Sequence, residues 1–333
     1  MRIKTTLDRR IAVHMSFILL VSVASFFCFN VTSHGRVVAS RPPTHAPRAS
    51  ASQDGIESLR MVILPKPDFR RASSARTTGG GTRLVISSSR ANQITDDAEW
   101  FERNGLRLPL YELGDTPDSA PSSANTRLPS NVPVNYKGHI LTKAIAQSAS
   151  TLLVYGRNYG EGRYLVSMNP VSGAFRYGFD FGNYVYPPDI PHGERSFVYQ
   201  NIDWAVEEGD VLYVAHSHAT YARSSRGMNA YLTAINIRDA RVIWRSQPLV
   251  SNASNFEVVG DLIVSGYGFT NEPDFLYLID KRTGTVVHRL AVKSGPTYII
   301  RKGDKIYVRA YNADFVVSLV SGARRRSAPA RRS

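Results

Sequence analysis

Three segments decide how this chain is read: EEGDVLYVAHS (207–217), VVGDLIVSGYG (258–268) and RKGDKIYVRAY (301–311). Each is a Gly-Asp turn followed by an alternating apolar strand, the period-2 pattern of a half-buried sheet element. The Gly-Asp pairs begin at residues 209, 260 and 303, at intervals of 51 and 43 residues. Such intervals are close to the period of a propeller blade. A weaker copy, SASTLLVYGRN (148–158), precedes them.

A second element follows each Gly-Asp strand: YLVSMNPVSGAFRYGF (164–179), YLTAINIRDARVIWRS (231–246) and LYLIDKRTGTVVHRL (276–290). In each, an apolar strand ends at Asn169, Asn236 or Asp280, a short turn follows, and another strand begins. Asx side chains at that point hydrogen-bond the backbone of the turn, and Gly173 and Gly284 supply the positive φ of a tight hairpin. The polar turn is therefore a connector. Apolar segments at 197–206, 255–259 and 297–300 precede the Gly-Asp turns. The order gives four antiparallel strands per repeat, which is one propeller blade.

The expected fold class is all-β, a β-propeller-like array of about four four-stranded antiparallel blades over residues 139–320. A β-sandwich whose hairpins resemble one another by accident is the alternative. The last copy ends early, at FVVSLVSG (315–322). A segment from the N-terminal half, such as 82–87, completes that blade, or the array stays open or pairs with another chain.

The second element resembles the repeat of quinoprotein-type (PQQ-like) β-propellers, which reads Ala-x-Asp-x-x-Thr-Gly-x-x-x-Trp. Ala234, Asn236 and Trp244 match that pattern, as do Asp280, Thr283 and Gly284. The family's docking Trp position is held by Tyr177, Trp244 and His288, each eight residues after its Asx. The resemblance implies that these rings pack between blades, which makes His288 a structural substitute and not a catalytic histidine. Members of the family commonly carry more blades on a longer chain.

Before the repeats the chain changes character. Residues 1–10, MRIKTTLDRR, precede a 21-residue stretch (11–31) without an acidic or basic side chain other than neutral His14. That is long enough to cross a bilayer core, and the flanking basic residues place the N-terminus in the cytoplasm. Residues 1–33 are read as a signal peptide or a retained membrane anchor. Residues 34–138 are rich in Ser, Arg, Pro, Thr and Gly and read as a largely disordered linker. Its short apolar runs, with DDAEWFER (96–103) as one or two helical turns, are able to dock on the main domain. Residues 321–333 form a basic disordered tail.

The formal net charge is +14, but residues 139–320 hold 18 Lys+Arg against 16 Asp+Glu. The basic excess lies in the flanks, so no specific nucleic-acid binding is expected. Cys28 is the single cysteine, which excludes an intramolecular disulfide and a Cys-based metal site.

Two stretches, 184–204 and 216–229, exceed what hairpin turns need, and long loops on a rigid sheet scaffold are where binding resides. Tyr184, Tyr186, Tyr199, Trp204, Tyr221, Arg223 and Arg226 make an aromatic and cationic candidate surface for sugars, peptides or anionic ligands. Inter-blade packing and solvated charge is the competing account. His216 and His218 share one strand face, and with His192, Asp203 or Glu194 they are candidate metal ligands; histidines bonded at a polar strand end are the alternative. No nucleophile elbow, Walker loop, His-Glu-x-x-His helix or dinucleotide fingerprint occurs, and no cofactor is expected.

The leading expectation is a non-enzymatic extracytoplasmic protein, periplasmic or secreted. It binds a protein, peptide or envelope polymer through its long loops and meets the membrane through its N-terminal segment. The alternative is a divergent quinoprotein-like oxidoreductase or a hydrolase with its site in the propeller cavity.

Overall fold

The computed structural model describes residues 49–68, 81–93, 97–112, 128–158, 160–184, 191–194, 198, 200–218, 225–269 and 272–321. The apolar stretch 11–31 and most of the basic tail lie outside them. No helix among the described residues is long and apolar enough to cross a membrane.

Short elements come first: α1 (Ala49–Ser58), β1 (Met61–Ile63), β2 (Arg83–Ala91), α2 (Asp97–Asn104), β3 (Leu110–Glu112) and β4 (Asn135–Tyr136). The repeats follow as β5 (His139–Ala146), β6 (Thr151–Gly156), β7 (Tyr164–Met168), β8 (Phe175–Asp180), β9 (Gln200–Glu208), β10 (Val211–His218), β11 (Tyr231–Asn236) and β12 (Val242–Arg245). The last group is β13 (Glu257–Val259), β14 (Leu262–Tyr267), β15 (Phe275–Asp280), β16 (Val286–Ala291), β17 (Pro296–Lys302), β18 (Lys305–Ala310) and β19 (Ala313–Val320).

Among the described residues these strands form four sheets. Strands β5–β8, β9–β12 and β13–β16 are blades 1 to 3, each an antiparallel meander in sequence order. Blade 4 contains β17–β19, and its fourth strand is β2, antiparallel to β19 from Ala313↔Ala91 to Val320↔Arg83. Blade 1 is widened by β3 and β4 on β5 and by β1, which lies parallel to β8. The fold is thus mostly β and propeller-like.

Burial follows from stacking sheets on both faces. The second strand β6 is buried at every position, while the outer strand β16 is only partly covered. A core cluster drawing on all four blades includes Leu152, Val214, Ile263 and Ile300 together with Leu106, Leu108 and Leu110 from before the repeats.

The turns behave as their residues require. Gly209, Gly260 and Gly303 take φ of 59, 60 and 65°, which a two-residue hairpin needs at its first central position. Asn169 Oδ1 accepts from the amides of Val171 and Ser172, both at 2.9 Å. Asn236 Oδ1 accepts from Arg238 N at 2.9 Å, and Asp280 Oδ1 from Arg282 N and Thr283 N at 3.0 Å.

The docking positions each reach the next blade. Tyr177 donates its hydroxyl to Glu207 Oε2 at 2.7 Å in blade 2, and Trp244 Nε1 donates to the Lys281 carbonyl at 3.0 Å in blade 3. His288 Nδ1 accepts from the Leu84 amide at 3.3 Å in blade 4.

Linker was expected over 34–138, yet α1, β1, β2, α2, β3 and β4 all come from it. The reason is that their main apolar side chains, Ile56, Leu84, Trp100, Phe101, Leu110 and Tyr136, are buried in the clusters of the blades and not against one another along the sequence. On β2, RLVISSSRA, only Leu84 is buried, because the strand's main ladder is met by β19. Helix α2 buries Trp100 and Phe101 and carries Asp97 and Glu99 in its first turn, which suits the helix dipole. Trp100 stacks on Tyr298 at 6.3 Å, and Phe101 meets the same ring edge-on at 5.1 Å. Since β3 pairs with β5, residues 97–112 bridge blade 4 to blade 1.

Candidate binding face

In a four-stranded meander the first and third connections lie at one end of the blade. The Gly-Asp and Asx turns therefore share one face, here the turn face. The second-to-third strand loops and the blade-to-blade connections share the opposite loop face.

Several residues singled out from the sequence lie between blades 1 and 2. Tyr184 is 3% exposed and meets the His216 ring edge-on at 4.9 Å. His216 Nε2 lies 2.8 Å from Thr233 Oγ1, and its ring stacks with Tyr231 at 6.0 Å. Arg245 places its guanidinium 3.5 Å from the Tyr231 ring centroid. Burial, then the positive charge of Arg245, holds His216 well below its ordinary pKa and takes His218 down to about 4. Both imidazoles are neutral at pH 7. Burial lowers Arg245 to about 10, still cationic.

Asp203 is displaced from the two histidines by a bulge in the β9–β10 ladder between Ala215 and His216. It lies beside Lys143 of β5, whose Nζ donates to the Ile202 and Asp203 carbonyls at 3.3 and 3.4 Å and pairs with Glu112 at 3.2 Å. Asn201 Nδ2 donates to Asp203 Oδ1 at 2.8 Å. Burial nonetheless outweighs the attraction of Lys143 and raises the Asp203 carboxyl to about 7. Glu194 acts on His218 electrostatically, and His192 belongs to the 3-10 turn His192–Glu194. Among the described residues no group of three or more His, Cys, Asp and Glu side chains is placed to share an ion.

The ligand-surface candidates separate. Tyr184 and Trp204 are core side chains, with Trp204 only 5% exposed. Arg226 is exposed on the loop face. Tyr186, Tyr199, Tyr221 and Arg223 lie outside the described residues.

A concavity that the sequence reading missed opens on the loop face between blades 3 and 4. It encloses about 440 Å³ and is lined by Asn252, Gly268, Phe269, Glu272, Asp274, Ser294, Gly295, Pro296, Thr297 and Tyr311. Asn252 clamps its floor: Nδ2 donates to the Gly268 carbonyl at 2.8 Å and Oδ1 accepts from the Gly268 amide at 3.1 Å. Tyr311 is 61% exposed and Phe269 37%. The Tyr267 hydroxyl donates to Glu272. Burial raises the Asp274 carboxyl from its ordinary value. The segment GFTNEPD (268–274) is a shorter loop than those singled out, so its length gave no signal.

No protein-family model matches the chain, and no curated protein matches it. Solved structures it is similar to include BamB from Moraxella catarrhalis, at 10% identity over 53% of this chain and 57% of that one, with a TM-score of 0.32. The computationally designed Ika4 protein matches at 9% identity over 54% and 88%, TM-score 0.33. A europium-containing methanol dehydrogenase matches at 9% identity over 46% and 24%, TM-score 0.30. The chain thus spans 57% of the BamB chain and 24% of the dehydrogenase. The fold class stands on the four sheets and their pairings.

Proposed function

We propose that this chain is an extracytoplasmic binding or scaffold protein, built from degenerate PQQ-like repeats, which takes a protein, peptide or envelope polymer on its loop face. One observation carries the reading. A concavity with two exposed aromatic rings, Phe269 and Tyr311, sits on loops held by packed blades, and loops on a rigid scaffold are where recognition resides. The apolar stretch 11–31, with basic residues before it, supports export or anchoring.

Site-specific photo-cross-linking in the native cell tests the loop face. Probes at Phe269 and Tyr311 are expected to give a discrete adduct, and probes at Asp210 and Asp261 on the turn face none. Adducts from the turn face alone would sink the assignment. A reporter active only outside the cytoplasm, fused after residue 321, tests the compartment; an inactive, stably expressed fusion would overturn export.

A second reading, an enzyme using buried polar groups between blades 1 and 2, is favoured by the near-neutral Asp203 carboxyl beside Lys143, since a carboxyl titrating near 7 suits proton transfer. The donor set for an ion-held cofactor does not assemble among the described residues. Metal analysis of the purified full chain separates the readings, because stoichiometric metal would count against binding alone.

A further inference from the structure

The cleft between blades 3 and 4 is acidic on a strongly basic chain. Its lining contains Glu272 and Asp274 and no Lys or Arg, while the chain as a whole carries a formal charge of +14. The two carboxyls are not equivalent. Glu272 is held by the Tyr267 hydroxyl, whose residue is 4% exposed, so its position is fixed. Asp274 is half-buried immediately before β15, where its backbone carbonyl accepts from Val292 N at 3.0 Å. Among the described residues its carboxyl has no ion-pair or hydrogen-bond donor, so desolvation acts on it without compensation.

Around the carboxyls the walls are mixed, with apolar surface supplied by Phe269, Pro296 and Tyr311 beside Asn252, Ser294 and Thr297. Phe269 comes from the β14–β15 connection, Pro296 opens β17, and Tyr311, from the β18–β19 loop, stands at the rim. The Tyr311 amide donates to the Gly295 carbonyl at 3.1 Å, and the Asn312 amide to Ser294 Oγ at 3.2 Å. These bonds fix the rim to the floor. An aromatic wall beside two carboxylates, one of them without a donor, favours a cation carried on an apolar stem, since the stem covers the rings while N–H groups meet the oxygens. A volume of about 440 Å³ lies at the small end of ligand pockets. That size excludes a folded epitope and admits one side chain or a short diamine.

We propose that this cleft, between Asp274, Glu272, Phe269 and Tyr311, binds a primary ammonium on an aliphatic stem, either the lysine side chain of a polypeptide or a free diamine. The proposal rests on the reading of the loop face as the recognition surface and names the chemistry it selects. Asp274 and Glu272 accept the ammonium hydrogens, and the rings flank the methylene chain. The rim is open to solvent, so binding is weak for a single group and falls with ionic strength. Several lysines on one partner would multiply it.

Ligand-observed NMR titrations on the full chain in detergent test this with N-acetyl-lysine methylamide and cadaverine. N-acetyl-norleucine methylamide and 1-pentanol serve as the neutral counterparts. Saturable binding of at least one amine is expected, with the neutral counterparts bound at least about tenfold more weakly, a difference of about 1.4 kcal/mol. Binding of the lysine amide alone assigns a polypeptide side chain; binding of cadaverine alone assigns a free diamine. Asp274→Asn is expected to weaken the amine about tenfold and Tyr311→Ala several-fold, with unchanged melting curves. The proposal is overturned if neither amine binds saturably, if the neutral counterparts bind equally, or if Asp274→Asn binds like wild type. A loop-face cross-link with no amine binding would overturn the ligand class and leave the face assignment standing.

Discussion

Trp244 of blade 2 lies so close over Gly284 of blade 3 that a β-carbon on the glycine would fall 2.4 Å from the indole Cε3. The indole Nε1 donates to the Lys281 carbonyl in the same turn, and Gly284 holds φ at 71°. Packing, a hydrogen bond and a backbone conformation thus meet at one contact between blades. Gly284→Ala is expected to destabilise the protein by about 2–4 kcal/mol, combining overpacking with left-handed strain. Gly209→Ala has a similar φ of 59° but open space around it, and is expected to cost only about 1–2 kcal/mol. Urea denaturation of the two variants checks the contrast, and equal costs would refute the docking role.

In the Asn236 turn the position that Gly173 and Gly284 occupy in the sister turns is taken by Ala240, with φ of 59°. Relieving the left-handed strain gains about 1–2 kcal/mol, and the added freedom of the unfolded glycine returns about 0.4–1. Ala240→Gly is therefore expected to stabilise by about 0.5–1 kcal/mol, read as an increase in the denaturation midpoint at constant slope. A lower midpoint would contradict it.

Asp203 and the two histidines tilt stability in opposite directions with pH. Asp203 titrates near 7 in the fold against an ordinary 3.8, so the folded state holds its proton more tightly and stability falls as pH rises from about 4 to 7. The imidazoles of His216 and His218 are depressed; their contribution is complete above about 6.5 and is lost as pH falls, for His218 down to about 4. Asp203→Asn is expected to be about 2–4 kcal/mol more stable than wild type at pH 8 and nearly equal to it at pH 4. Its melting temperature should fall more steeply on acidification. A variant less stable than wild type at pH 8 would show that the charged carboxylate is needed.

Arg309 is 1% exposed and ties blade 4 to the helix that leads toward blade 1. Its Nε meets Asp97 Oδ1 at 2.7 Å and its Nη1 meets Asp314 Oδ1 at 2.9 Å. Arg309→Met removes the buried guanidinium between Asp97 and Asp314, leaves Asp314 with Arg90, Arg103 and Asn92, and is expected to cost about 3 kcal/mol, the low end for breaking a buried pair. Arg103→Ala, removing a more exposed partner of Asp314, should cost about 1 kcal/mol or less. Hydrogen exchange supplies a second readout: protection over 97–104 should drop in the first variant and hold in the second.

What the sequence disclosed was local. Asn236, Asp280 and Gly284 announce their turns because the side chain acts within three residues of itself, and the Gly-Asp strands show their alternation in one short window. Leu84 was legible only as an option, since a polar strand with a single buried residue carries no periodic signal until its partner is known. Tyr184 and Trp204 drew attention as aromatics in long stretches, yet burial against neighbouring blades is a property of the stack and not of the stretch. The cleft at Phe269 and Asp274 was invisible for the same reason: its walls come from connections more than forty residues apart in the sequence, from Asn252 to Tyr311. The bulge that parts Asp203 from His216 likewise follows from ladder registration.

The pairing of β2 with β19 has a consequence for the order in which the molecule assembles. Ser87 and Val316, which share a hydrogen bond in that ladder, are 229 positions apart, so the final sheet cannot zip up until the ribosome has delivered nearly the whole array. Until then an early-made strand waits with its amides and carbonyls bare, and contacts of such long reach form slowly. The nascent protein therefore carries an unmatched strand through most of its synthesis, an edge of the kind that invites pairing with other chains.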